Sequence, residues 1–201
     1  MNKQILMILK ACEFAADKHR NQRRKDPART PYINHPLAVA RALAEEGGVK
    51  DPEILAAAIL HDTLEDTQTT LKELQKAFGR RVASMVAEVT DDKTLPKQVR
   101  KQRQIDHGPR KSKGAAVIKV ADKICNLRDL TKSPPKHWTV ERKGQYVEWA
   151  REVVNALPIP RHRIHRVFER EYASTSVLNS PAASSAMLER RTSSRRGISN
   201  G

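Results

Sequence analysis

Four polar side chains, His61, Asp62, Glu65 and Asp66, interrupt a strongly apolar stretch that carries Ile54, Leu55, Ile59, Leu60 and Leu64. Read as one helix turning roughly 100° per residue, with His61 at zero, Glu65 falls near ~40°, Asp62 near ~100° and Asp66 near ~140°. One acidic face less than half a helix wide results. An isolated His-Asp pair arises by chance, and an acidic helix end in solvent is its ordinary explanation. Here the apolar pattern around the pair predicts burial instead. Three carboxylates buried side by side cost several kcal/mol unless a cation neutralises them, and a divalent metal does so directly.

Two further side chains offer themselves as ligands. His35 is fixed between Tyr32-Ile33-Asn34 and Pro36, where the following proline restrains its backbone. Asp122 stands among apolar neighbours, Ala121 and Ile124. Two imidazoles and two carboxylates leave water-filled positions on an ion such as Mn²⁺, Fe²⁺ or Zn²⁺, the arrangement of a catalytic rather than a structural site. Spacing alone does not bring the four together.

The elements that must position them read as helices throughout. Ile5, Leu9, Cys12 and Ala16 recur at helical spacing, and a basic cluster, Arg23-Arg24-Lys25, and a loop with Pro27 and Pro31 follow. Pro36 is placed to open a second helix, ending near Gly47-Gly48. Asp51 caps a third, the apolar helix of the acidic face. Thr69 or Thr70 caps a fourth over 71–78, and Val82, Met85, Val86 and Val89 mark a fifth. Further helices are expected from Pro96 toward Gly108-Pro109, around Val117 to Leu127, and from about Thr139 to Leu157. No segment alternates as a strand would, so the expected fold class is an all-α bundle.

At Pro158 the pattern changes. Residues 1–157 are expected to form the domain, 158–172 to include a short basic helix, and 173–201, rich in Ser, Ala and Arg without periodicity, to be a disordered basic tail. The chain's 201 residues carry 38 Lys and Arg against 23 Asp and Glu, a formal charge of +15. Eight Arg less three Glu from Pro158 onward account for +5, so the preceding part keeps +10 and attracts anions on its own. Aromatic residues are few and scattered, which argues against a base-stacking surface for single-stranded nucleic acid. Cys12 and Cys125 lie far apart in helical patterns and read as buried thiols in a reducing compartment, not a disulfide framework. The apolar run at 5–9 is broken by Lys10 and is too short for a signal peptide or a membrane span, so a cytoplasmic protein without a membrane partner is expected.

In these residues the chain resembles the HD-domain phosphohydrolases, whose signature is a His, a His-Asp pair and a distant Asp around one metal. His35, His61-Asp62 and Asp122 match it in order. The resemblance sharpens to the RelA/SpoT-like small alarmone hydrolases of the metazoan branch. Arg24-Lys25, Pro31-Tyr32-Ile33-Asn34-His35-Pro36, His61-Asp62-Thr63-Leu64-Glu65-Asp66-Thr67 and Ala121-Asp122-Lys123-Ile124-Cys125-Asn126-Leu127 carry it, together with residues 90–97 and 146–150. It covers about residues 5–157 and departs at Asp26-Pro27-Ala28-Arg29, where many bacterial relatives have a shorter link.

What the resemblance implies is an HD-domain helical bundle that uses Mn²⁺ to remove the 3′-pyrophosphate of guanosine tetraphosphate or pentaphosphate. His35, His61, Asp62 and Asp122 would be the metal ligands. Glu65 and Asp66, outside that set, would position water and move protons. Arg24, Lys25, Asn126 and Tyr146 match substrate-binding positions. A second enzymatic expectation keeps the metal and takes NADPH, removing its 2′-phosphate. A third reading, from another class, is a nucleic-acid or acidic-partner binding module built on Arg190-Arg191 and Arg195-Arg196 with a vestigial metal site. The complete ligand set argues against it. The sequence is silent on oligomeric state.

Overall fold

The computed structural model describes residues 2–178. Within them the chain forms ten α-helices and no strand beyond an isolated bridge between Arg23 and Pro31. They are α1 (Lys3–Lys18), α2 (Asn34–Glu45), α3 (Pro52–Leu60), α4 (Thr63–Asp66), α5 (Leu71–Phe78), α6 (Arg80–Val89), α7 (Lys97–Asp106), α8 (Lys113–Lys132), α9 (Val140–Asn155) and α10 (Arg163–Leu178). Several starts are held by side-chain oxygens that take an orphan N–H of the first turn. Asp51 accepts from Glu53 N at 2.9 Å, Thr70 from Glu73 N at 3.2 Å, Ser112 from Ala115 N at 3.2 Å and Thr139 from Arg142 N at 3.1 Å. Between α5 and α6 Gly79 turns the chain at φ +88°, a conformation a Cβ would strain.

The bundle is organised around α8, whose residues from Gly114 to Cys125 are all buried. Helices α2, α6, α9 and α10 pack on it, α3 lies against α1, α2 and α6, and the apolar residues form one continuous core. Gly114 permits a close approach of α8 to α6, because a methyl group there would run into Met85 Sδ.

Three expectations need correction. The apolar helix does not run unbroken through the acidic face: α3 ends at Leu60, and α4 starts at Thr63 after a turn at His61-Asp62. Local side chains take carbonyls there, as His61 Nδ1 bonds Ala58 O at 2.8 Å and the Thr63 hydroxyl donates to Leu60 O at 2.7 Å. Helix α2 begins at Asn34, two residues before Pro36, which sits within the first turn where its missing N–H has no intrahelical acceptor to lose. Most consequentially, packing continues past Leu157. Helix α10 extends through 173–178, expected to be disordered, and Ile159, Ile164, Val167 and Phe168 belong to the same core as α8. The spacing of 164, 167 and 168 is that of an apolar helix face, outweighed in the sequence by the basic residues around it. The remainder of the expected tail, 179–201, lies outside the described residues. Of the two free cysteines, Cys125 is buried and Cys12 only half-buried.

Candidate metal centre and substrate cleft

Each site residue is brought in by a different part of the bundle. His35 comes from the first turn of α2, His61 and Asp62 from the α3–α4 turn, and Asp122 from the middle of α8. His35, His61 and Asp62 present ligand atoms within 4.8 Å of one another. Asp122 closes the group, with Oδ1 at 3.2 Å from His35 Nε2 and 3.9 Å from His61 Nε2. Both histidines are buried, at 5% and 4% exposure, which makes uncompensated charge here expensive.

The donor chemistry fits a divalent cation. With its Nδ1 directed at Ala58 O, the His61 ring turns Nε2 toward the carboxylates. That buried nitrogen lies 3.0 Å from Asp62 Oδ2 yet makes no hydrogen bond. A carbonyl on one ring nitrogen, with the other turned to carboxylates, is how a ligating histidine is oriented. The protonation balance agrees. Burial alone would lower the pKa of His61, but Asp62 and then Asp122 outweigh it and lift the value to about 9. Burial likewise opposes ionisation of Asp62 and Asp122, yet neighbouring positive charge holds both below the usual carboxylate range, His61 first for Asp62 and Lys123 first for Asp122. The cluster draws positive charge, supplied by protons when no metal is present; a bound cation would displace them.

Supporting contacts fix the carboxylates. The Tyr32 hydroxyl donates to Asp62 Oδ2 at 2.6 Å. Asp122 accepts from Asn126 Nδ2 at 2.6 Å and from Lys123 Nζ at 3.2 Å. Buried Lys123 also lies over the Trp149 ring, 4.4 Å from its centroid.

Glu65 and Asp66 fall outside this group and on the wall of a cleft of about 710 Å³. Glu65 accepts the backbone N–H of Asp91 at 3.0 Å, and its carboxyl is pushed above its ordinary value by burial. Asp66 accepts from Gln22 Nε2 at 2.8 Å and pairs with Lys93. The two neighbours are thus inequivalent: Glu65 is held by a backbone N–H, whereas Asp66 pairs with a lysine.

All four residues expected at the substrate line the same cleft. Arg24 pairs with Asp129, reaches Asn126 Oδ1 at 3.3 Å and lies over Tyr32 with its guanidinium carbon 5.6 Å from the ring centroid. Lys25 is exposed beside it. Tyr146 stands between Trp138 and Trp149, with centroids 5.6 and 5.4 Å away. Gln22, Lys93, Asp129 and Trp138 also line the cleft and were not singled out in the sequence. A lysine after the Asp91-Asp92 pair was a faint signal for Lys93; the Gln22–Asp66 contact spans 44 residues and has none.

A helical bundle that gathers a histidine, a His-Asp pair and a distant aspartate into one buried cluster beside a cleft defines a class of metal-dependent hydrolases. The chain belongs to the HD domain family, which matches residues 11–151. A guanosine-3′,5′-bis(diphosphate) 3′-pyrophosphohydrolase, MESH1 of Xenopus tropicalis, is 54% identical over 157 residues, 78% of this chain and 88% of that protein. Its Homo sapiens counterpart is 53% identical over the same extent. A solved structure, described as a metazoan ortholog of SpoT that hydrolyses ppGpp and plays a role in starvation responses, matches with a TM-score of 0.80 at 42% identity. The match covers 84% of this chain and 94% of that one.

Proposed function

We propose that this protein is a Mn²⁺-dependent hydrolase that removes the 3′-pyrophosphate of guanosine tetraphosphate and pentaphosphate. The observation that carries the reading is the buried Nε2 of His61, without a hydrogen-bond partner among the described residues, amid Asp62, Asp122 and His35 and beside a cleft whose wall carries Glu65. His35, His61, Asp62 and Asp122 would hold the ion. When bound, it would supply Lewis acidity at the phosphoryl oxygen and make a nearby water easier to ionise. Glu65, its carboxyl raised by burial, takes a proton from the attacking water and can return it to the departing ribose oxygen. Asp66, tied to Gln22 and Lys93, orients that water. Asn126 and Lys123 keep Asp122 aimed inward. Lys25 and Tyr146 provide the charge and flat surface for the nucleotide, while Arg24, committed to Asp129, braces the base-side wall. The relatives named for this activity and the match over most of both chains support the substrate assignment.

A cleft of about 710 Å³ also admits a dinucleotide, so hydrolysis of the 2′-phosphate of NADPH is the second reading. A cytoplasmic setting fits both substrates and the two unpaired cysteines. No helix among the described residues is long and apolar enough to cross a membrane. The deciding experiment measures kcat/KM for guanosine tetraphosphate, NADPH, ATP and NADH with Mn²⁺ and after chelation. Both compounds with a 2′- or 3′-phosphate should react, the tetraphosphate faster, with little turnover of ATP or NADH and none without metal. Comparable activity on ATP would sink the ribose-phosphate assignment.

A further inference from the structure

The cations lining the reaction cleft are mostly committed. Arg24 is held by Asp129, Lys93 by Asp66, and Arg23 by the carbonyls of Arg20 and Gln22 at 2.8 and 2.9 Å. Lys25 is exposed in the loop beside Arg24. Arg100, on α7, differs from all of these. It lines the cleft with Glu65 and Asp66, is half-buried, and its Nε is a buried donor without an acceptor. An unpaired charged donor is costly inside a protein, so its persistence in a cleft wall is itself an observation about what the wall receives.

Arg100 also lines a second cavity of about 370 Å³, with Asp91 and Gln104. Asp91 N–H is the donor to Glu65 Oε2, and Gln104 Nε2 donates to Asp91 Oδ2 at 2.6 Å. Asp91 is therefore engaged by Gln104 rather than by Arg100, although both belong to α7, one turn apart. Arg100 is left without an ion pair among the described residues, on the cleft wall that also carries Glu65 and Asp66. Arg103, Arg110 and Lys111 line the second cavity too, facing Glu88, Asp91 and Asp92.

We propose that Arg100 is the specificity-determining residue for a pyrophosphoryl group: it receives the second, outer phosphate of the 3′-substituent while the metal cluster holds the inner one. The proposal deepens the phosphohydrolase reading and rests on it. A 3′-monophosphate needs only the cluster and Glu65. A pyrophosphoryl group brings further negative charge toward the Glu65 carboxyl, and a planar guanidinium with unused donors meets that charge in bidentate fashion.

The test compares guanosine tetraphosphate with the same nucleotide lacking the outer 3′-phosphate, in wild type, Arg100→Gln and Arg100→Lys. With Mn²⁺, the ratio of kcat/KM for the two nucleotides should drop about tenfold or more in Arg100→Gln, and by less in Arg100→Lys, which keeps the charge but not the fork. With EDTA, where no turnover intervenes, calorimetry should give tighter binding of the tetraphosphate by wild type and loss of that preference in Arg100→Gln. Should the glutamine variant not fold, the lysine variant decides by the same ratio. An unchanged ratio, whether both nucleotides weaken together or neither does, overturns the assignment, as does a wild type with no preference. Failure of the parent reading is separately visible. It would be a wild type that turns over neither nucleotide with Mn²⁺, and the EDTA preference and its loss would then still establish the subsite.

Discussion

Asp62 is the residue on which most of the site's connections converge, since it lies against His61, is bonded by Tyr32 and faces His35. Removing it, as Asp62→Ala, should lower both metal content and turnover. Glu65→Gln should keep the metal, measured by atomic absorption, and still slow kcat by about 10²- to 10⁴-fold, because only proton transfer is lost. A Glu65→Gln protein that had lost its metal would move Glu65 among the ligands. Tyr32→Phe removes a single hydrogen bond to a ligand carboxylate and should weaken metal affinity by about 10- to 100-fold, read by chelator competition. The residues of the buried His-Asp cluster were legible because polar side chains inside an apolar pattern need a reason to be there. Tyr32 was present in the motif without a role, since nothing in its own surroundings announces that its hydroxyl meets a side chain 30 residues on. Lys123 and Gln22 were hidden for the same reason: a supporting contact is a property of the folded arrangement.

At the scale of elements, the break between α3 and α4 shows what a helical wheel misses. The wheel put His61 and Asp62 about 100° apart, whereas the turn sets His61 Nε2 and Asp62 Oδ2 3.0 Å from each other, because side chains capture the carbonyls that would have continued the helix. Docking of α10 was the larger omission. Its basic surface residues dominated the composition, and the three apolar positions that bury it were too few to stand out. Phe168 is fully buried, so Phe168→Ala should cost about 3–5 kcal/mol in chemical denaturation. A loss below about 1 kcal/mol would mean that α10 does not hold the core. Arg128 of α8 clamps the same helix: it bonds Glu46 beyond the end of α2 at 2.7 and 2.8 Å and Glu171 of α10 at 2.7 and 3.0 Å. Arg128→Met should destabilise by about 1–3 kcal/mol at neutral pH. The hydrogen bonds from Arg128 lower the pKa of Glu46, so this contribution is present above the carboxyl's unfolded value of about 4.3 and is lost as pH falls through the lower folded value. The melting-temperature gap between wild type and Arg128→Met should therefore close in strong acid. A gap that stays constant from neutral to strongly acidic pH would count against the ion pairs as its source.

The whole molecule carries +15, and the cleft and the second cavity are each lined by cations slightly in excess of carboxylates. Composition revealed the sign and rough size of this excess, and helical spacing revealed an all-α bundle. Which cations would be neutralised by neighbours and which left free depends on contacts such as Arg24–Asp129 and Lys93–Asp66, and these connect parts of the chain that no spacing rule relates. A field of this kind acts before any contact forms, raising the encounter rate with a highly charged anion and fading as salt shortens the Debye length from about 14 Å near 50 mM to about 7 Å near 200 mM. Association should feel it more than chemistry, because the metal cluster and Glu65 are buried or half-buried and so less screened. For guanosine tetraphosphate we therefore expect kcat/KM to fall several-fold between about 50 and 200 mM NaCl with kcat nearly constant, and to fall less steeply for NADPH, which carries fewer charges. Stopped-flow or steady-state measurements at fixed Mn²⁺ decide it. Equal slopes for the two nucleotides, or a fall in kcat alone, would assign the salt effect to the metal site rather than to the field that gathers the substrate.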